Sequence, residues 1–240
     1  MIKRLFLIIL CPVIICTSSP DTPAKEKPVK NYTKYVNVFI GTGSHGHTYP
    51  GACLPFGMVQ LSPDTRLEGW DGCAGYHYSD SAIFGFSHTH LSGVGVPDYG
   101  DILFMPVSGK VRLNHGEPGK PGSGYLSHFQ HKNEKAEPGY YSVILDDYNI
   151  KAELTATERV GLHKYSFPKN SSQPHVIIDL QHRDPVIESF VRVVSKYEIE
   201  GYRRATNWAL DKRWYFVARF SKPIKNYSLA VNDIVKNGIN

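Results

Sequence analysis

Charge is scarce in these 240 residues: Asp, Glu, Lys and Arg together make up 20%. With 12% aromatic and 41% hydrophobic residues, that excludes an intrinsically disordered chain, which is highly charged and poor in aromatics. No apolar run reaches the roughly 20 residues that a transmembrane helix needs. No segment carries a capped 3.6-residue apolar period, and Gly and Pro number 21 and 16, so a helical bundle is excluded as well. Cysteine is sparse, four in all, and no C-x-x-C pair offers a structural zinc site. The formal charge is +5; without Lys3 and Arg4 it is +3, with 25 basic against 22 acidic residues. Those charges form no basic stripe, so nucleic-acid binding lacks its electrostatic footprint. A phosphate loop ending in Lys-Ser/Thr and an H-E-x-x-H zinc motif are missing too. What is left is a turn-rich globular chain.

Residues 1–16, MIKRLFLIILCPVIIC, open with Lys3 and Arg4 and continue almost entirely apolar. That is the build of a secretory signal peptide. The run stops at Cys16 without an A-x-A cleavage site, with Cys11 as a second candidate, which resembles a bacterial lipoprotein signal that acylates the cysteine. Ile15 stands where such signals carry a small residue, and ordinary secretion is the alternative. Residues 17–34 are polar and rich in Pro, Lys and Ser, the composition of a flexible tether. The expectation is an exported protein, periplasmic or at the outer membrane or cell surface, lipid-anchored at Cys16. Cys53 and Cys73 then remain, able to form one disulfide or to sit as two small buried hydrophobes; the second reading is preferred.

From residue 35 to 240, β-branched and aromatic runs recur between turn signals, about ten candidate strands in all. In 151–159, Ala152, Leu154 and Ala156 share one face and Lys151, Glu153, Thr155 and Thr157 the other, the period of a half-buried antiparallel strand; 160–167 follows as its continuation or hairpin partner. Further strands are expected at 35–40, 57–63, 101–109, 140–147, 175–180, 190–201, 213–220 and 227–233. The fold class is all-β, a large antiparallel β-sandwich with long loops on one edge. Residues 114–139 read as a surface excursion. Asn237-Gly238 is a hairpin-turn signal with too few residues after it for a return strand, which suggests a truncated chain.

Three Gly-rich clusters carry the chemistry. In GTGSHGHTYPGACLPFG (41–57), His45 and His47 alternate and could share a metal, although loop histidines bonding backbone carbonyls are preferred. In LEGWDGCAGYHYSD (67–80), Trp70 beside Asp71, with Tyr76, His77 and Tyr78 near, offers what a sugar needs: an aromatic face for its C–H face and polar groups for its hydroxyls. In FGFSHTHLSGVGVPDYGD (84–101), His88, His90, Asp98 and Asp101 could form a metal site or a hydrogen-bonding wall. Asp179, Asp184 and Glu188 form a fourth acidic group, in which a paired-acid glycosidase reading would be arbitrary without a measured separation.

The motifs YVNVFIGTGSHGHTYPGACLPFGMVQLSPDT, GWDGCAGYHYSD and GFSHTHLSGVGVPDYGD resemble the N-terminal domain of glycoside hydrolase family 92, and NWALDKRWYFVARFSKPI agrees; the similarity spans about residues 35–225. The resemblance implies an exo-acting, inverting, calcium-dependent α-mannosidase with a galactose-mutarotase-like N-terminal β-sandwich and a C-terminal (α/α)6 barrel. It places the catalytic acid and base and most of the calcium ligands in the barrel, so that no catalytic residue and no metal ligand is assigned to this chain. By the motif match Trp70 faces the sugar next to the scissile bond, and Asp71, His88 and His90 line or support that edge. The expected partners are a mannose-containing glycan, with α-1,2-mannosides as substrates, and the missing barrel in cis or in trans. Hydrolysis by this chain alone is not expected. An alternative reading is a stand-alone carbohydrate-binding module for mannosides at the cell surface; a third, weaker one is a His/Asp metallohydrolase.

Overall fold

The computed structural model describes residues 30–232 and 234–239, so the signal peptide and most of the tether lie outside the described residues. Residues 32–240 form one compact unit, nearly all β, with 4% helix and 41% strand. The strands in chain order are β1 (Ala52–Cys53), β2 (Gln60–Asp64), β3 (Ala82–Ile83), β4 (Gly85–Ser87) and β5 (Leu103–Val107). Then come β6 (Ser127–His128), β7 (Glu134–Glu137), β8 (Tyr140–Leu145), β9 (Ile150–Ala156) and β10 (Gly161–Ser166). The last six are β11 (His175–Asp179), β12 (Val186–Ser195), β13 (Glu198–Ala205), β14 (Lys212–Arg219), β15 (Asn226–Val231) and β16 (Ile234–Ile239).

The antiparallel sheet β1-β2-β4-β5-β11 packs on the sheet β10-β9-β8-β7. Leu61, Phe86, Leu103, Met105 and Val107 from the first meet Tyr141, Val143, Leu145, Ile150, Ala152 and Leu154 from the second. This is the expected sandwich. The alternation in β9 holds, with Ala152 and Leu154 buried and Lys151 and Thr155 exposed, and β10 returns beside it as a hairpin partner, Gly161 opposite Ala156. Strand β5 shows no alternation because both its faces are covered: all five residues are buried. Its far face, through Phe104, joins Ile102 and Leu180 against Trp214, Phe216 and Ala218 of the sheet β12-β13-β14. The outer face of that third sheet carries a row of Phe190, Tyr202 and Tyr215 across its three strands, with Phe190 and Tyr215 exposed.

Four expectations need correction. Residues 35–40 form no strand: a 3-10 turn covers Thr33–Tyr35, and the Asn37 side chain accepts the Phe39 N–H, which diverts the backbone into turns. Residues 190–201 are two strands, β12 and β13, reversing at Lys196–Tyr197, where the Ser195 hydroxyl accepts the Tyr197 N–H. Residues 114–139 are half interior: Tyr125, Leu126 and Phe129 are buried and β6 and β7 lie there. Asn237 and Gly238 are not a turn but sit inside β16, opposite Ser228 and Tyr227; the chain reverses earlier, between Val231 and Ile234, with Asn232 left-handed at φ 50. Gly238 lies under the Tyr227 ring as Gly201 lies under Phe216; in each case an aromatic ring on the neighbouring strand occupies the space a Cβ would need. Cys53 and Cys73 are both free, the first half-buried and the second buried.

Candidate functional site

Trp70 opens a 3-10 turn, Trp70–Gly72, entered from Gly69 at φ 79, a left-handed conformation that favours glycine. The indole is 58% exposed. Its ring leans on Gly95, where an added Cβ would stand 3.0 Å from Cζ3 and Cη2, and the His47 ring meets it edge-on at 4.7 Å between centroids. An indole so propped keeps a face open to solvent.

Loop 41–48 brings two histidines to the same place. The Thr48 N–H bonds the Gly41 carbonyl, and Ser44 and His47 both adopt left-handed backbone at φ 51, a conformation costly for residues other than glycine. His45 Nδ1 lies 2.6 Å from Asp71 Oδ1. That hydrogen bond, with the fields of His45, His77 and Arg66 and against the smaller opposing effect of burial, holds the Asp71 carboxyl below the usual carboxylate range. His47 Nδ1 donates to the Val94 carbonyl at 2.7 Å, as the sequence reading of loop histidines expects. Its Nε2 then presents a lone pair, has no protein partner and stands 3.9 Å from Asp71 Oδ1. Two acceptors beside an exposed indole suit a ligand that offers hydroxyl hydrogens above an apolar C–H face.

His88 and His90 lie behind this surface rather than on it. Both ring nitrogens of His90 face acceptors, the Gln60 carbonyl at 2.7 Å and Asp64 Oδ1 at 2.9 Å. Asp64 also receives His182 Nε2 at 3.1 Å, and all three side chains are buried. Burial alone would raise the Asp64 carboxyl, but His90 and His182 override it and hold it far below the usual range. His88 Nδ1 bonds the Ile102 carbonyl at 2.7 Å, and its Nε2 meets His163 Nε2 at 3.0 Å. The carbonyl can only accept, so His88 carries its proton on Nδ1 and accepts from His163 Nε2–H; His163 Nδ1 in turn accepts the Tyr165 hydroxyl at 2.7 Å. One pattern of two neutral rings satisfies the whole chain. Desolvation, only partly offset by the Ile102 carbonyl, lowers His88 to about 4, and burial lowers His163 further.

Most of the acidic groups noted in the sequence are also internal, whereas Glu188 is exposed. Lys212 lies between Asp98, at 2.5 Å, and Asp184, while buried Arg203 pairs with Asp101 and donates to the Leu180, His182 and Asp184 carbonyls. Asp179 accepts the Tyr125 hydroxyl at 2.6 Å, and Glu188 stands on β12 opposite Arg204. Asp179 and Asp184 thus serve different partners. Among the described residues no three or more His, Cys, Asp or Glu side chains converge as a metal site would require. Tyr76 and Tyr78 turn away from Trp70: Tyr76 donates to Glu134 and Tyr78 stacks on His131 at 4.1 Å. His77, buried, bonds Ser79 and the Ser44 carbonyl and so braces the histidine loop.

A family model described as the glycosyl hydrolase family 92 N-terminal domain matches residues 35–239. A secreted glycosidase of Arthroderma benhamiae, itself uncharacterized, is 32% identical over 154 residues, 61% of this chain and 19% of its own length. The family GH92 α-mannosidase BT3965 of Bacteroides thetaiotaomicron, solved with mannoimidazole, superposes with a TM-score of 0.79 at 38% identity, over 85% of this chain and 27% of that one. The inverting mannosidase BT2199 of the same species gives 0.70 at 29% identity, over 85% of this chain and 27% of that one. The chain therefore spans between about a fifth and three tenths of the relatives it matches.

Proposed function

This chain belongs to glycosyl hydrolase family 92 as its N-terminal domain, and from that membership we propose that it forms one wall of the substrate site of an exported α-mannosidase. The observation that carries the proposal is the exposed Trp70 ring propped on Gly95 and His47, beside the acceptors Asp71 Oδ1 and His47 Nε2. A mannose residue packs its C–H face on the indole and donates hydroxyl hydrogens to the two acceptors. His88 and His90 act from beneath, holding the loop that carries Gly95. The substrate class is a mannose-containing glycan, with α-1,2-mannosides the first choice.

Bond cleavage belongs to a partner domain, the (α/α)6 barrel, supplied in cis or in trans. Two features support this. The buried carboxylates Asp98, Asp101, Asp179 and Asp184 are tied to Lys212, Arg203 and Tyr125. The outer face of β12-β13-β14, with Trp208 and Leu210 beyond it, presents exposed apolar side chains suited to a docked domain. The calcium that the family resemblance implies has no fitting cage among the described residues, and no step is assigned to it. Export through residues 1–16 accords with the secreted relative, and anchoring through a lipid on Cys16 is part of the same proposal. No helix among the described residues is long and apolar enough to cross a membrane. The exposure of Trp70 also favours a second reading, a stand-alone mannoside-binding module.

The test is calorimetric titration of the chain with α-1,2-mannobiose, alone and with the barrel added, plus a mannose-release assay. Binding only with the barrel supports the wall; binding by the chain alone supports the module. Mannose release by the chain alone, or an affinity untouched by Trp70→Ala in both formats, overturns the proposal.

A further inference from the structure

Residues 67–68, 113–115, 179 and 181–183 line a cavity of about 310 Å³. Its polar lining comes from Glu68, Asn114, His115, Asp179, Gln181, His182 and Arg183. His182 is only 2% exposed. It donates its Nε2–H to Asp64, so its Nδ1 offers a lone pair, and that atom has no protein partner. Arg183 gives Nη2 to the Gly72 and Cys73 carbonyls but leaves Nε and Nη1 buried without a protein partner. Its backbone is left-handed at φ 66, a cost for a side chain with a Cβ that folds accept mainly at functional positions. Buried polar atoms without partners are rare, and these three belong to adjacent residues lining one cavity.

We propose that this cavity is a second glycan subsite, binding adjacent hydroxyls of a neutral pyranose, separate from the surface at Trp70. The donor and acceptor set selects the ligand. Arg183, Asn114 and Gln181 donate, while His182 Nδ1 and the carboxylates of Glu68 and Asp179 accept. A vicinal diol, in which each hydroxyl both donates and accepts, meets that mixture. An anion faces two carboxylates against one guanidinium and is disfavoured. No Trp, Tyr or Phe ring lines the cavity, so it grips a sugar by its edge and its affinity for a monosaccharide is low. This inference rests on the reading of the chain as glycan-binding, but it is tested at different residues.

The experiment is an NMR titration of the full chain with methyl α-D-mannopyranoside, following the Arg183 Nε–H, the Asn114 and Gln181 side-chain amides and, separately, the Trp70 indole N–H. Movement of the cavity signals that persists in Trp70→Ala and is lost in the surface double variant Asn114→Ala/Gln181→Ala, with melting midpoint unchanged, supports the second subsite. Movement at Trp70 alone overturns it and leaves the proposed function standing. Movement at the cavity alone supports it and removes Trp70 from the reading. No movement at either overturns both. Inorganic sulfate shifting the Arg183 Nε–H where the mannoside does not overturns the assignment to a neutral diol.

Discussion

The paired rings of His88 and His163 should make this domain acid-labile in a defined window. Their chain, Tyr165 to His163 to His88 to the Ile102 carbonyl, needs both rings neutral. Burial pushes His88 down to about 4 from an ordinary 6.5. Above pH 6.5 both the folded and the unfolded chain hold it neutral, and the full stability is present. As pH falls below 6.5 the unfolded chain takes up a proton that the folded chain refuses, and stability is lost at about 1.4 kcal/mol per pH unit. The loss ends near pH 4, where the folded ring also protonates, at about 3 kcal/mol for His88 alone. His163, shifted the same way, adds to the slope. His128 is raised, chiefly by the Pro118 carbonyl and Asp147, and works in the opposite sense, so a comparison with a variant is needed to isolate His88. Urea midpoints of wild type and His88→Gln, taken from about pH 7.5 to about pH 4.5, provide it. The variant should be less stable at neutral pH yet lose stability less steeply below pH 6.5, by about one proton's worth of slope. Parallel curves across the window would refute the hydrogen-bond chain as drawn.

Lys212→Met leaves Asp98 and Asp184 buried without their cation and should destabilise the fold by about 3–5 kcal/mol in chemical denaturation; a loss below about 1 kcal/mol would mean that the carboxylates find other relief. Trp70→Ala removes an exposed ring and should change stability by less than about 1 kcal/mol, while mannoside affinity falls at least about tenfold by calorimetry, or about 1.4 kcal/mol. Gly201→Ala drives a methyl into the Phe216 ring and towards the Phe190 carbonyl at 2.8 Å; a loss of about 1–3 kcal/mol is expected from thermal melts.

The sandwich was legible where one face of a strand meets water and the other meets the core, as in β9. It was less legible in β4 and β6, two or three residues long, which owe their existence to neighbouring strands rather than to any local pattern. The 35–40 run shows the converse: β-branched residues with no strand to pair with, turned aside by one asparagine. The Asn237-Gly238 pair has the right chemistry for a hairpin, but the reversal at 231–234 comes first and enrols both residues in the return strand. At the site, Trp70 and Asp71 stood out because an indole beside a carboxylate among glycines has few structural uses. The pairing of His45 with Asp71 was missed because the two lie 26 residues apart, and nothing short of the fold brings the two loops together. His182 and Arg183 were passed over for the carboxylates around them, since partnerless atoms and a left-handed backbone leave no mark in a sequence.

The motifs around Trp70 are completed by residues made much later. Asp64 reaches His182 across 118 positions, Asp98 reaches Lys212 across 114, and the Ala209 N–H reaches Asp98 across 111. Contacts of such sequence separation form slowly, because a long loop must close before they give anything back. During synthesis the first 101 residues therefore emerge with Asp64, Asp98 and Asp101 charged and without the cations and donors that will bury them. The loops around Trp70 reach their final shape only after β13 and β14 have been made. Until then the nascent domain carries its recognition surface unfinished and its central strands uncovered on one side, the state in which a β-rich chain most needs protection from association with its neighbours.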